Sequence, residues 1–398
     1  MAVKLGLREN WKQFTILVVI NALVGGMVGL ERSILPGIAE QDFDLTAKSA
    51  ILSFIVVFGI SKAITNYYAG ILASRFGRKK LLVAGWMAGI PVPLILMFAT
   101  GWNGIIAANV LLGINQGLTW SSTVVMKIDL VGPKERGLAM GINESAGYLA
   151  VGATAFLTGW IASEYGLRPY PFYLGLFFVT AGMLGSLLLV RDTTPHVELE
   201  NESTTITTLR NVFLDTSWRQ PTLGAITQAG LVNNLNDGMI WGLLPLLLKS
   251  KGFSLAQIGT IVAIYPMVWG LLQLGTGKLA DVWNKKDMLI GGMLLQGMAI
   301  ISMVWAFSFN AFIVLSILLG LGTALVYPTF LAAITQNTTP QQRAGSIGVF
   351  RLWRDLGYAL GALLTGAIAD RFGMVEAIGW TGTITLLSAI IILVRMKA

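Results

Sequence analysis

Among 398 residues the chain has no cysteine and one histidine, His196. These absences exclude disulfides, thiolate metal sites and thiol redox centres. A lone histidine in a polar stretch is a solvated residue rather than a metal ligand, because metal sites need clustered donors. Charge is also scarce: Asp, Glu, Lys and Arg together make up 12% of the residues, about half the share in a soluble domain. No G-x-x-x-x-G-K-[ST] phosphate cradle occurs, so no ATPase signature is present. The expectation is a protein that is not an enzyme and uses no cofactor and no metal. Long polar segments are missing too, apart from Arg191 to Pro221.

Hydrophobic residues, at 55%, fill the remaining space, and the class is a membrane protein. A spanning helix needs ~20 apolar residues. Twelve stretches qualify: 14–38, 49–73, 81–99, 104–128, 138–162, 171–190, 222–248, 257–280, 288–307, 311–335, 345–369 and 375–394. Lipid offers no hydrogen bonds to a backbone, so the spans are helices or a closed barrel. These runs are too long and too continuously apolar for barrel strands. The basic start MAVKLGLRENWKQ leads into a long apolar run with no small-residue cleavage site and reads as an uncleaved first span. The net charge of +8 belongs to loops that anchor spans, not to a nucleic-acid surface. Cations crowd the N-terminal tail and alternate loops, including Arg75, Arg78, Lys79, Lys80, Lys285 and Lys286, while the opposite loops hold few. By the positive-inside rule both termini face the cytoplasm, as expected of a protein of the plasma (inner) membrane.

The chain also repeats itself. At an offset of 207 residues GILASRFGRKK (Gly70–Lys80) falls on GKLADVWNKK (Gly277–Lys286), PKERGLAMG (Pro133–Gly141) on PQQRAGSIG (Pro340–Gly348), and LTGWIASEYG (Leu157–Gly166) on LTGAIADRFG (Leu364–Gly373). One offset across three separated motifs implies two related halves, residues 1–190 and 222–398, joined by a linker at 191–221. With the basic loop matching G-x-L-a-D-r-x-G-r-k at Gly70, Leu72, Arg75, Gly77, Arg78 and Lys79, the chain resembles the major facilitator superfamily over essentially its whole length. The resemblance implies an all-α membrane protein of twelve transmembrane helices in two pseudo-symmetric six-helix bundles. It further implies that spans 1, 4, 7 and 10 surround a central cavity, with 2, 5, 8 and 11 flanking it.

One departure stands out: the family's loop aspartate is Ser74 here, while the second copy keeps Asp281. In the family this acid faces a helix start in the opposite half, where free N–H groups and partial positive charge favour it. Gly70, Ser74, Arg75, Gly77, Arg78, Gly277 and Asp281 therefore form a candidate latch between halves, weaker on the Ser74 side; plain topology anchoring is the alternative.

An ionisable group in mid-membrane marks a pathway or a partner. Eight stand out: Glu31, Arg32, Lys62, Glu144, Asp237, Arg351, Arg354 and Asp355. Arg351 and Asp355 are four apart and share a helix face, and so do Lys62 and Asn66. Asn233, Asn236 and Asp237 form a stripe, as do Asn115, Thr119 and Ser122, then Tyr265, Trp269 and Gln273, then Thr323 and Tyr327. Spans 3, 6, 9 and 12 carry almost no polar residues and read as a lipid-facing layer. The expected substrate site comprises Lys62, Asn66, Asn115, Thr119, Asn233, Asp237, Tyr265, Trp269, Tyr327 and Arg351, with aromatic walls and orienting amides. Proton coupling falls to Glu144 and Asp355 ahead of Glu31 and Asp237. Ion pairing of Lys62 with Glu144 and of Arg351 with Asp355, without a ligand, is the alternative.

The functional expectation is a secondary active transporter that works as a monomer in the lipid bilayer by alternating access, with a small organic solute and protons as its partners. Efflux is favoured on the short loops, although span 5 lacks the Gly-Pro pair common in the family's antiporters. Uptake of an organic anion through Lys62 and Arg351 remains open, as does a non-transporting sensor or scaffold.

Overall fold

The computed structural model describes residues 4–131, 136–201, 211–338 and 340–396; within these, the side chains of 70, 71, 73–75, 136–138, 197, 198, 200, 201, 281, 335 and 340–345 lie outside the description. All of its regular structure is helical. Span 1 is α1 (Trp11–Arg32) continued by α2 (Leu35–Phe43), span 2 is α3 (Lys48–Ile51) with α4 (Ser53–Phe76), and span 3 is α5 (Arg78–Gly89) with α6 (Pro91–Phe98). Spans 4, 5 and 6 are α7 (Trp102–Val131), α8 (Arg136–Tyr165) and α9 (Tyr173–Leu188). The linker carries α10 (Thr194–Asn201), α11 (Val212–Leu214) and a π turn over Asp215–Arg219. The second half follows with α12 (Pro221–Ser250), α13 (Leu255–Val282), α14 (Lys285–Met303), α15 (Phe309–Gln336), α16 (Pro340–Phe372) and α17 (Met374–Arg395).

Proline marks the breaks inside spans 1 and 3. Pro36 sits in the first turn of α2 and Pro91 opens α6, where a missing N–H costs nothing and the fixed φ suits a new helix. Seven of the described helical stretches are apolar enough to cross a membrane by length and composition alone. Span 7 is not among them, because Asn233, Asn234, Asn236 and Asp237 break its apolar run.

Within each half the spans pack side by side, and the halves meet along α8 against α13 and α4 against α16. Small residues permit this closeness. A β-carbon on Gly259 of α13 would stand 3.0 Å from the Cα of Gly159 on α8, and one on Gly147 would strike Trp120 at 2.5 Å. Leu188, Phe177 and Val394, on the outer helices, are exposed, as suits a lipid-facing surface.

The face opposite the termini is sealed across the halves. Glu40 accepts from both Lys48 and Lys249 at 2.8 Å. Asp370, late in α16, accepts from the backbone N–H groups of Lys48 and Ser49 and from the Ser49 hydroxyl, and so caps α3. Toward the termini, no described atom lies within 4 Å of where a side chain would begin at Gly275, Gly277 or Gly348.

Gly77 turns the chain at φ +86°, a region that favours glycine, while Gly277 lies inside α13 as its counterpart Gly70 lies inside α4. The second-half turn uses Asn284, whose side chain accepts from the Lys286 N–H. Arg78 pairs with Asp129 at 3.4 Å, and the Lys79 N–H donates to Asp192, so this part of the loop is tied to its own half and to the linker. The side chains of Gly70, Ser74, Arg75 and Asp281 lie outside the described residues, as do Pro133 and Arg343 of the other motif.

Candidate functional site

The charged side chains of the inner helices converge between the halves. Glu31, Arg32, Lys62, Glu144, Asp237, Arg354 and Asp355 are all buried. Arg32, at the end of α1, lies over Trp241 of α12 at 4.2 Å and over Phe58 of α4 at 4.9 Å. Lys62 lies over Phe58, Tyr358 and Trp120 at 5.6, 5.0 and 5.9 Å. Tyr358 in turn stacks on Trp241, with centroids 5.2 Å apart. Two cations from the first half therefore rest on one aromatic cluster built by both halves.

Toward the termini face, a second tier of rings closes the centre. Tyr148 of α8 stacks on Trp269 of α13 at 3.5 Å, and Tyr327 of α15 meets both edge-on. Arg354 donates to Asp355 at 2.6 and 3.0 Å and to the Tyr327 hydroxyl. Asp355 also accepts from Asn66 of α4 at 2.5 Å, and Asn66 accepts from Ser121 at 2.5 Å. Asp237 accepts from the Tyr265 hydroxyl at 2.5 Å, and Tyr265 contacts Thr323 at 3.3 Å. Glu144 accepts from Trp120 at 3.0 Å and from Asn143 at 3.1 Å on one oxygen.

Several atoms at this centre are buried without a hydrogen-bond partner among the described residues: Glu31 Oε1, all three Arg32 nitrogens, Glu144 Oε2, Asp237 Oδ2, Trp241 Nε1, Trp269 Nε1 and Gln273 Nε2. Native interiors satisfy the large majority of such groups. These exceptions cluster at the junction of the two bundles. A surface depression of about 600 Å³ bounded by Asp42, Arg168 and Phe98 lies within the first half at the opposite face, away from these charges.

Comparison with known proteins decides the family. The sequence model of the Major Facilitator Superfamily matches residues 16–228 and 226–397. The chain belongs to the Major Facilitator Superfamily. Multidrug resistance protein MdtG of Escherichia coli is 25% identical over 399 aligned positions, covering 96% of this chain and 94% of MdtG. Among solved structures, the human organic anion transporter MFSD10 superposes with a TM-score of 0.73 at 15% identity, covering 96% of this chain and 99% of the other. A POT family transporter in complex with a thioalcohol-conjugated peptide gives 0.76 at 14%, covering 96% and 95%. These structural likenesses show the fold. The chain is thus a transporter of this superfamily, not an enzyme, and an integral membrane protein.

In this facilitator the sequence-based site residues divide. Lys62, Asn66, Asp237, Tyr265, Trp269 and Tyr327 meet at the centre, with Glu31, Glu144 and Asp355. Asn115 and Thr119 do not: Asn115 donates to the Gly85 carbonyl of α5, and Thr119 packs on Gly85 and donates to the Asn115 carbonyl. The span 7 stripe also splits. Asn236 turns outward to Gln296 of α14 and Thr385 of α17, so spans 9 and 12 carry buried polar partners after all. Asn233 donates only weakly, to Asn234 at 3.3 Å. Arg351 is half-buried and does not hold Asp355, because its neighbour Arg354 does. Lys62 and Glu144 form no ion pair, since the Lys62 charge lies on ring faces. Phe58 and Trp241, which bear the Arg32 charge, were missed, and so were Tyr148, Tyr358 and Lys127. Tyr148 and Tyr358 sit four residues beyond Glu144 and Arg354, a spacing that could have flagged them. Lys127, buried and donating to Asn143, closes the fourth apolar run, where a cation passes for a loop anchor.

Proposed function

We propose that this facilitator is a proton-coupled secondary active transporter that moves a small organic solute by alternating access, in the export direction. Residues 1–190 and 222–398 act as the two moving bodies, with 191–221 as the link between them, in a monomer whose termini face the cytoplasm across the inner membrane. The observation that carries the reading is the set of buried carboxyl oxygens on Glu31, Glu144 and Asp237 that lack hydrogen-bond partners among the described residues, at the seam of two bundles bridged on the face opposite the termini. A buried carboxylate without a partner is strongly disfavoured, while its protonated form is not. Such groups exchange a proton against an arriving charge, which is the elementary step of coupling. Asp355 is the weakest of the four candidates, because Arg354 and Asn66 already hold its charge. Export is supported by the likeness to a multidrug resistance protein.

Reconstituted liposomes test the reading. With an aromatic acid, an aromatic amine and a neutral amide as probes, an imposed pH gradient should drive accumulation of one of them. Glu144→Gln or Asp237→Asn should abolish that accumulation while leaving exchange of the same probe down its own gradient. Gradient-driven transport that is unchanged in Glu31→Gln, Glu144→Gln and Asp237→Asn alike contradicts carboxyl coupling.

A further inference from the structure

Arg32 is fully buried, and none of its three nitrogens has a hydrogen-bond partner among the described residues. Glu31, the neighbouring acid, does not satisfy it. Adjacent residues on a helix do not face each other, and Glu31 Oε1 stops 4.0 Å from the guanidinium, while Oε2 accepts from Asn109 at 3.2 Å. The rings of Trp241 and Phe58 attract the cation through their faces. That contact leaves the in-plane N–H donors unused.

The unpartnered groups at the centre differ in one respect. A buried carboxyl sheds its charge by taking a proton, and a buried lysine by losing one. A guanidinium does neither. Arg32 therefore carries the one permanent charge in the cluster that no described side chain meets by hydrogen bonding. Arg354, the other arginine there, is met by Asp355 and Tyr327. Lys62 stands on the same Phe58 ring, and another ring beneath it, Tyr358, stacks on the Trp241 that bears Arg32.

We infer that the solute carries a carboxylate, which seats bidentately on the Arg32 fork with Lys62 as the second cation, and a flat apolar body that lies on Trp241, Tyr358 and Phe58. Arginine presents its donors in a planar pair that matches the two oxygens of a carboxylate. Glu31 then sets orientation by repelling an acid placed on its own side. The inference rests on the transporter reading above and names the substrate class of that site.

Three probes of one shape separate the possibilities: 3-phenylpropionate, 3-phenylpropylamine and 3-phenylpropionamide, titrated against the full-length protein in nanodiscs by calorimetry and thermal stability. The acid should bind and raise Tm, and the amine and amide should bind at least about tenfold more weakly. Arg32→Gln should weaken acid binding about 100-fold, and Arg32→Lys and Lys62→Gln each about tenfold. If Arg32→Gln is not monodisperse, the latter two variants decide. Amine or amide binding equal to that of the acid overturns the inference, as does no acid binding up to about 10 mM. Acid binding that is unchanged in both Arg32→Lys and Lys62→Gln overturns it as well. Binding is read without a gradient, so acid that binds but is not moved in liposomes contradicts the transport reading alone. An amine that is transported while the acid fails to bind contradicts the inference alone.

Discussion

Arg354 in the second half and Arg32 in the first are both buried arginines on inner helices, and their surroundings treat them in opposite ways. Arg354 is held by two hydrogen bonds to Asp355 and one to the Tyr327 hydroxyl, and Asp355 is braced across the seam by Asn66. Arg32 has ring faces and an acid at 4.0 Å. The same contrast runs through the carboxyls. Among the described residues, Glu31 and Glu144 of the first half and Asp237 of the second each keep one oxygen without a hydrogen bond, whereas Asp355 uses both. The two halves thus share a backbone plan, but held charge gathers at Arg354 and Asp355 on α16, while the unpartnered groups lie on both sides of the seam. The wall at Arg354 clamps, and the wall at Arg32 is left to read a ligand.

The largest expected effect comes from breaking the clamp. Arg354→Gln leaves Asp355 as a buried unpaired charge and should destabilise the protein by about 3–5 kcal/mol, read as a fall in thermal unfolding temperature. Arg32→Gln removes a charge that no side chain hydrogen-bonds and should change stability by less than about 1 kcal/mol. Equal losses in the two variants would erase the contrast. Next is the seal on the face opposite the termini. Gly259→Val places a methyl group against the Gly159 backbone, where a β-carbon already stands 3.0 Å from its Cα. Overpacking there should cost about 1–3 kcal/mol, and only in the conformation that closes this face. Distances between labels at Asn103 and Asn310 should lengthen. Glu40→Gln weakens two partly exposed bridges and should shift the same distances in the same direction by no more than about 1 kcal/mol.

The smallest effect sharpens the picture at the loop. Burial pushes the Asp192 carboxyl up, but hydrogen bonds from Thr194 and the Lys79 N–H, with the Arg78 charge, hold it below the ordinary aspartate value of 3.8. A depressed folded value means that stability is gained above the unfolded value and lost as pH falls through the folded one. The Tm of wild type should therefore exceed that of Asp192→Asn at pH 7, by less than about 0.5 kcal/mol in free energy because the group is well solvated. The difference should shrink as pH falls below 3.8. A difference that persists there assigns the effect to shape rather than charge.

The span count and the twofold pattern were legible in the sequence because both are properties of the chain taken one stretch at a time. Which residues meet was not, because spacing fixes a helix face but not the neighbour that face is turned to. Asn115 and Thr119 form a stripe four residues apart that faces α5 inside its own bundle. Arg351 and Asp355 share a face by count, yet Arg354, one residue from the acid, reaches it by bending its long side chain back. Asn236 and Asp237 are adjacent and point to different layers. Lys127 was hidden by its place at the end of a span, where a cation is ordinary.

The central claim is that two bundles rock about a fixed charged centre. The absence of native cysteine allows clean spin-label pairs: Asn103 with Asn310 on the face opposite the termini, and Lys80 with Asp287 on the termini face. Double electron–electron resonance on both pairs in nanodiscs, at pH 8 and at pH 5.5, measures the two ends of the seam in one protein. Alternating access predicts reciprocal change, with one pair lengthening as the other shortens, and a larger share of the lengthened Asn103–Asn310 population in Gly259→Val. Distances that stay fixed at both ends, or that lengthen together, contradict it.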